Sequence, residues 1–210
     1  MKGLCMLLSL AIWMCPVKEE VLAPTIKTTP EASFKLLKTK GGVSLYERWV
    51  NVTADRRARE MKAEFTVQAD VTAILALLQD ESKATKWLKG ADAFKLLSTE
   101  ALSWTSYVRY NIPIKDQDCV LQYTCQTEKD TVLIRFKSAT HEQAPPKTGV
   151  KRMQGVRGSW QLIPQSDQQT KIAYTIITTQ KPTLPRWLTD PIVQNNLLDT
   201  MNAFAAQLAH

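Results

Sequence analysis

The stretch DPIVQNNLLDTMNAFAAQLAH, residues 190–210, decides how the rest of the chain must fold. Asp190 is a good N-cap, and Pro191 fits the first helical position, where its missing N–H costs nothing. Val193, Leu197, Met201, Phe204 and Leu208 then recur at spacings of four, four, three and four, one continuous apolar stripe. A helix of this kind needs an apolar surface to cover, and on its own the stripe says only that it packs on a core. Met201 and Phe204 would equally suit a helix facing a cavity, because a flexible thioether adapts to a variable guest.

Working back from the helix, nearly everything between Phe34 and Thr179 reads as strand. Segments 34–38 and 43–50 flank Gly41-Gly42, a hairpin signal. In segment 57–68, Ala58, Glu60, Lys62 and Glu64 alternate against Arg59, Met61, Ala63, Phe65 and Val67, as a half-buried strand should. Asp70 caps a helix carrying Val71, Ile74, Leu75 and Leu78, and a second short helix over 81–88 stops at Gly90. Strands follow over 94–98, 102–112, 119–126 and 132–138. A Pro-rich loop over 140–149 leads to strands 150–163 and 171–179, with Gly155 and Gly158 predicting a bulge or bend in the first. The fold class is α+β: a curved antiparallel sheet closed by one long C-terminal helix, a layout that encloses an apolar space.

Strand alternation selects the side chains that would face that space. On 102–112, Trp104, Ser106, Val108, Tyr110 and Ile112 share one face. On 119–126, Cys119, Leu121, Tyr123 and Cys125 face together, and Val132, Ile134 and Phe136 do so on the next strand. From the helix, Leu197, Met201 and Phe204 complete the lining. A packed core and the wall of a cavity satisfy this alternation equally. Ser106, Tyr110 and Tyr123 are the polar points; each either orients a ligand or finds a backbone or water partner.

The 210 residues suit one domain, with 44% hydrophobic and 22% charged residues, ordinary for a globular chain. The N-terminal segment differs. Lys2 precedes an apolar run from Leu4 to Cys15, too short to span a bilayer but suited to a secretory signal core. Met14 and Trp13 are bulky where a lipoprotein signal wants small residues before Cys15, so lipid anchoring is not expected. The expected organisation is a signal segment over 1–16, a linker over 17–32 carrying Pro24 and Pro30, and a ligand-binding domain over 33–210, exported to the periplasm or beyond. Cys119 and Cys125, about 20 Å apart on an extended strand, cannot pair with each other.

Three strings match a known family in order and spacing. The first is WTSYVRYNIP, residues 104–113, followed by Lys115-Asp116-Gln117-Asp118. The second runs from Gly149-Val150 through Gly158-Ser159-Trp160-Gln161-Leu162-Ile163-Pro164, and the third is Leu184-Pro185-Arg186-Trp187-Leu188. With the order of three strands, two helices, six strands and a helix, the chain from about residue 33 to 208 resembles the START lipid-transfer domains. The resemblance implies a helix-grip fold with a hydrophobic tunnel, whose mouth is formed by Pro113, Ile114, Lys115 and Asp116 together with the terminal helix. It also favours the cavity wall over the packed core. The chain departs from the family at Gln117, where many members carry arginine, and at Trp104 and Tyr123, which stand where sterol binders often bury an acid and an arginine.

Little in the sequence points to chemistry. His141 and His210 are the two histidines, no metal-ligand spacing occurs, and no nucleophile elbow or phosphate loop is present. No cofactor or metal is expected. Asp116 and Asp118 read as turn residues beside Lys115. The net charge of +7 is scattered, with Arg56-Arg57 and Lys151-Arg152 the only basic doublets, which argues against nucleic acid as partner. The expected partner is a lipid or other hydrophobic small molecule, bound by a monomer with transient membrane contact. The alternative is a polyketide cyclase or aromatase-like enzyme in which Tyr110, Tyr123 or Arg157 acts as general acid.

Overall fold

A computed structural model describes residues 32–111, 116–180 and 185–209. Strands β1 (Lys35–Lys40), β2 (Val43–Thr53) and β3 (Arg56–Val67) precede helices α1 (Val71–Leu78) and α2 (Glu81–Trp87). Then come β4 (Ala91–Glu100), β5 (Ser103–Tyr110), β6 (Gln117–Glu128), β7 (Thr131–Ser138), β8 (Lys151–Arg152), β9 (Val156–Ser166) and β10 (Gln169–Thr178). Helix α3 (Arg186–Gln207) ends the fold.

The strands make one open sheet in the order β1-β2-β3-β10-β9-β7-β6-β5-β4, antiparallel along that path. Helix α3 lies against β2 and β3, while α2 packs on β4 and on α3, so the two helices cross the inner side of the sheet between its two flanks. The turn between β1 and β2 has Gly41 and Gly42 at φ of +59° and +85°, the paired left-handed conformation that a two-residue hairpin requires. Asn202 of α3 donates to the Lys40 carbonyl at 3.0 Å, fastening the helix to that hairpin.

Helix α3 begins one turn earlier than the Asp190-Pro191 signal predicts. Pro185 occupies the cap, and Pro191 sits inside the helix, where it forgoes one backbone hydrogen bond. The reason lies in the Asp190 carboxylate. Instead of capping a helix end, it accepts from Arg186 of the same helix at 2.8 Å and pairs with Arg59 of β3 at 2.9 Å. Two guanidinium partners outweigh a single cap amide, since charge-assisted bonds are roughly twice as strong as neutral ones. The apolar stripe is buried at Leu197, Met201, Phe204 and Leu208, whereas Val193 at its start is exposed.

The expected strand over 150–163 divides in two. Gly155, at φ +64°, turns the chain between β8 and β9. The two-residue β8 pairs with β6 in parallel, Gln117 with Lys151 and Asp118 with Arg152. Asp118 is therefore a strand residue and not a turn residue. It is fully buried, and Arg152 grips it with two bonds, Nε to Oδ1 at 2.6 Å and Nη2 to Oδ2 at 3.0 Å. The same Nη2 also donates to the Ala144 carbonyl at 3.0 Å, drawing the 139–150 loop over the outer face of the sheet. There Leu97, Tyr107, Val120 and Ala144 form a second, smaller core, so the outer face is not the solvated one that alternation implies.

Removing one partner of a buried ion pair strands the other charge, at a cost of about 3–5 kcal/mol. Arg152→Ala is therefore expected to lower the unfolding free energy by about that amount in urea denaturation. A loss below about 1 kcal/mol would show that Asp118 is solvated and not sealed beneath the loop.

Candidate functional site

The register assembles one inward wall. Trp104 stands opposite Tyr123, Ser106 opposite Leu121 and Val108 opposite Cys119. Tyr123 stands opposite Phe136, and Cys125 opposite Ile134. The wall continues through Trp160 and Leu162 of β9 to Tyr174 and Ile172 of β10, then to Ala63 and Phe65 of β3. Helix α3 meets it with Leu197, Met201 and Phe204, all buried in the same cluster.

Every predicted lining residue thus lies on the inner face, but the members differ in how they are covered. Trp104, Ser106, Val108, Ile134, Phe136, Leu197, Met201 and Phe204 are buried. Tyr110, Leu121, Tyr123 and Val132 are only half-buried, as are Cys125, Met153 and Ile176 beside them. An apolar patch on the inner face is thus left unsealed by the helices. Of the predicted mouth, Pro113, Ile114 and Lys115 lie outside the described residues. Asp116 is half-buried, and its carbonyl accepts from Lys151 at 2.8 Å, so β8 supplies the anchor that Gln117 does not.

Aromatic rings run across the wall from strand to strand. Trp104 stacks on Tyr123 at 4.8 Å with the rings 6° apart, and Tyr123 meets Phe136 at 5.6 Å. Phe136 stacks on Tyr174 at 5.8 Å, Tyr174 meets Trp160 at 4.6 Å, and Trp160 reaches Phe204 of α3 at 5.0 Å. Gly158 makes the crossing from β7 to β10 feasible: a Cβ there would stand 2.5 Å from the Phe136 ring. The sequence reading missed Trp160 and Tyr174, although the same alternation continued through β9 and β10 would have found them.

Two polar groups in this wall lack partners, as do Trp87 Nε1 on α2 and the Tyr107 hydroxyl on the outer face. Ser106 Oγ and Trp104 Nε1 are fully buried without a hydrogen bond. The Ser106 hydroxyl lies near enough to Tyr123 to favour its ionised form slightly, but not at hydrogen-bonding geometry. Burial pushes the Tyr110, Tyr123 and Tyr174 phenols far above their ordinary value, so all three stay neutral, and burial pushes the Cys119 thiol up to about 12. Tyr110 and Tyr123 are therefore deep yet incompletely covered. Arg157, the third candidate acid, is exposed and pairs in register with outward-facing Lys137, away from the wall.

Where α3 enters, charge replaces apolar surface. Arg59 Nη1 donates to Glu47 at 3.3 Å and Arg59 Nη2 meets Asp190 at 2.9 Å, while the Arg186 guanidinium lies 4.5 Å over the Trp49 ring. Beside this network Trp187, Leu188, Ile192 and Val193 are exposed on the first turns of α3. A separate cleft of about 360 Å³ between α1 and the far end of α3 is lined by Gln68, Asp70, Asp80, Lys83 and Gln207 and shares nothing with the wall.

By sequence the chain matches no protein-family model and no curated protein. By structure it is similar to a STAR-related lipid transfer protein from Xanthomonas axonopodis, with a TM-score of 0.73 at 21% identity over 83% of this chain and 98% of that one. Human StAR-related lipid transfer protein 5 gives 0.68 at 16% identity, covering 84% and 86%. The Zhui aromatase/cyclase from a Streptomyces strain gives 0.52 at 12%, covering 72% and 93%. The chain has the START, or helix-grip, fold.

Neutral, deeply placed phenols have a measurable signature. Unfolded tyrosine ionises near pH 10, whereas Tyr110, Tyr123 and Tyr174 hold their protons beyond it. Above pH 10 the unfolded chain therefore binds fewer protons than the folded one, and stability falls as pH rises. Ultraviolet titration of the folded protein is expected to leave Tyr110, Tyr123 and Tyr174 un-ionised until alkaline unfolding releases them together. Ionisation of these three near pH 10 in the folded protein would mean that water fills the wall freely.

Proposed function

We propose that this protein binds, and carries, a lipid or other hydrophobic small molecule against the inner wall of the sheet. The observation that carries the reading is the half-buried apolar strip of Tyr110, Leu121, Tyr123, Cys125 and Val132 on the inner face, beside the buried Trp104, Ser106, Ile134 and Phe136. A core built for stability alone would close over such a patch, since each buried methylene contributes about 0.8 kcal/mol. A guest hydrocarbon gains the same amount by filling it. The similarity to two lipid transfer proteins supports the reading at the level of the fold.

The cyclase-like alternative rests on the aromatase/cyclase with the same fold. The local chemistry favours it less. A general acid works best with a pKa near the operating pH, and burial drives these phenols the other way. Arg157 stands off the wall.

The sequence supports the rest of the setting. An apolar N-terminal run after Lys2 reads as a signal for export, residues 17–32 as a tether, and 33–210 as the carrier domain. Ligand exchange would take place at the 113–116 loop during transient contact of a monomer with a membrane. Trp187, Leu188, Ile192 and Val193, exposed beside Arg186, form a surface suited to such contact.

Native mass spectrometry with lipid extraction, on protein purified from its own host, is expected to yield an apolar molecule near one per chain. Leu121→Trp, which fills the patch from a half-buried position, should cut uptake about tenfold or more and leave the fold intact by circular dichroism. Unchanged uptake in this variant would place the ligand elsewhere.

A further inference from the structure

The patch carries information about the polar end of its ligand. Trp104 Nε1 can only donate, and it is buried without an acceptor. Ser106 Oγ, two residues along the same inward edge, is fully buried and also unpartnered. Two other buried polar atoms also lack partners, Trp87 Nε1 on α2 and the Tyr107 hydroxyl on the outer face, but each stands alone. Trp104 and Ser106 are neighbours on the inward wall, and buried polar groups are nearly always satisfied, so this pair marks the place where a missing partner belongs.

Charge narrows that partner further. The inward positions of β5, β6, β7, β9 and β10, from Trp104 and Tyr123 through Phe136 and Trp160 to Tyr174, carry no ionisable side chain other than cysteine and tyrosine. Arg59 and Glu47, inward on β3 and β2, are already paired with each other, and Arg59 also holds Asp190. Asp118 and Arg152 satisfy each other beneath the outer loop. Among the described residues of the wall, a carboxylate or phosphate would thus find no free cation, which buried anions require. A quaternary ammonium would find rings, but the faces of Trp104 and Tyr123 are turned on each other, and it offers no acceptor to the orphan donors.

Resting on the carrier reading above, we infer that the ligand buries an uncharged hydrogen-bond acceptor, a carbonyl oxygen of the ketone, quinone or lactone kind, at Trp104 Nε1 and Ser106 Oγ. Its hydrocarbon lies along Leu121, Tyr123 and Val132, and no charged headgroup enters. The neutral phenols of Tyr110 and Tyr123 agree with this, since they too can donate to an oxygen and cannot neutralise a cation.

The test uses the full chain after delipidation and four probes: methyl pentadecyl ketone, hexadecane, palmitate and palmitoyl-lysophosphatidylcholine, each titrated at about pH 8 by tryptophan fluorescence. The ketone is expected to bind about tenfold tighter than the alkane and than either charged probe. Palmitate or the lysophospholipid equalling the ketone overturns the inference, as does equal binding of ketone and alkane; in each case the carrier reading stands. Failure of all four probes to bind overturns the carrier reading, and the inference with it. Trp104→Phe keeps the ring and removes the N–H, and Ser106→Ala removes the hydroxyl with little change in volume. Each should reduce the ketone-to-alkane affinity ratio by about threefold to tenfold. A ratio unchanged in both variants places the acceptor elsewhere.

Discussion

The seat of Phe204 is the contact on which the rest of the molecule depends. Its ring, fully buried, meets Trp87 of α2 at 4.9 Å, Trp160 of β9 at 5.0 Å and Phe65 of β3 at 6.5 Å. One side chain of the terminal helix thus joins β3, the central strand β9 and the helix that packs on β4. Aromatic pairs of this geometry add about 0.5–1.5 kcal/mol each beyond the area they bury. With α3 seated there, the inner face is largely shielded from bulk water, with Trp160, Leu162 and Ile172 buried beneath the helix. Without it, a broad apolar sheet face would meet solvent, which soluble chains avoid.

The two faces of the sheet solve opposite problems. On the outer face, Asp118 and Arg152 are buried together in a bidentate pair, and the loop they hold covers Tyr107 and Val120. That pair specifies where the loop goes, a role for which buried ions are suited even where apolar residues would be as stable. On the inner face of β5, β6 and β7 the chain carries no charged side chain, and Trp104 Nε1 and Ser106 Oγ are left unsatisfied. Local conflicts of this kind, in a fold otherwise consistent at every level, are expected where function is placed.

At the entry of α3 the structure shows a third arrangement. Arg59 bridges Glu47 and Asp190, and Arg186 bridges Asp190 and the face of Trp49. These groups are partly solvated, so their pairing is weaker and more salt-sensitive than the sealed pair at Asp118. The helix is thus held by Phe204 toward one end and by partly solvated ion pairs at the other.

Much of this was legible in the residues themselves. Alternation over β3, β5, β6 and β7 set their inward faces correctly, because side-chain direction in a strand follows from its period of two and needs no partner. Gly41-Gly42 determined its hairpin for a similarly local reason, the requirement for two positive φ angles. What depends on distant neighbours was not legible. Asp190 resembled a cap until Arg59, 131 positions away, was brought beside it, and the helix then began a turn earlier. Asp118 resembled a turn residue until Arg152 arrived on a strand too short to leave a sequence pattern. Likewise, alternation by itself placed Trp104 and Ser106 inward, but only the packed structure left their polar atoms without partners. Local geometry is written in adjacent residues, whereas satisfaction of a buried charge or hydrogen bond is a property of whatever the fold brings into contact.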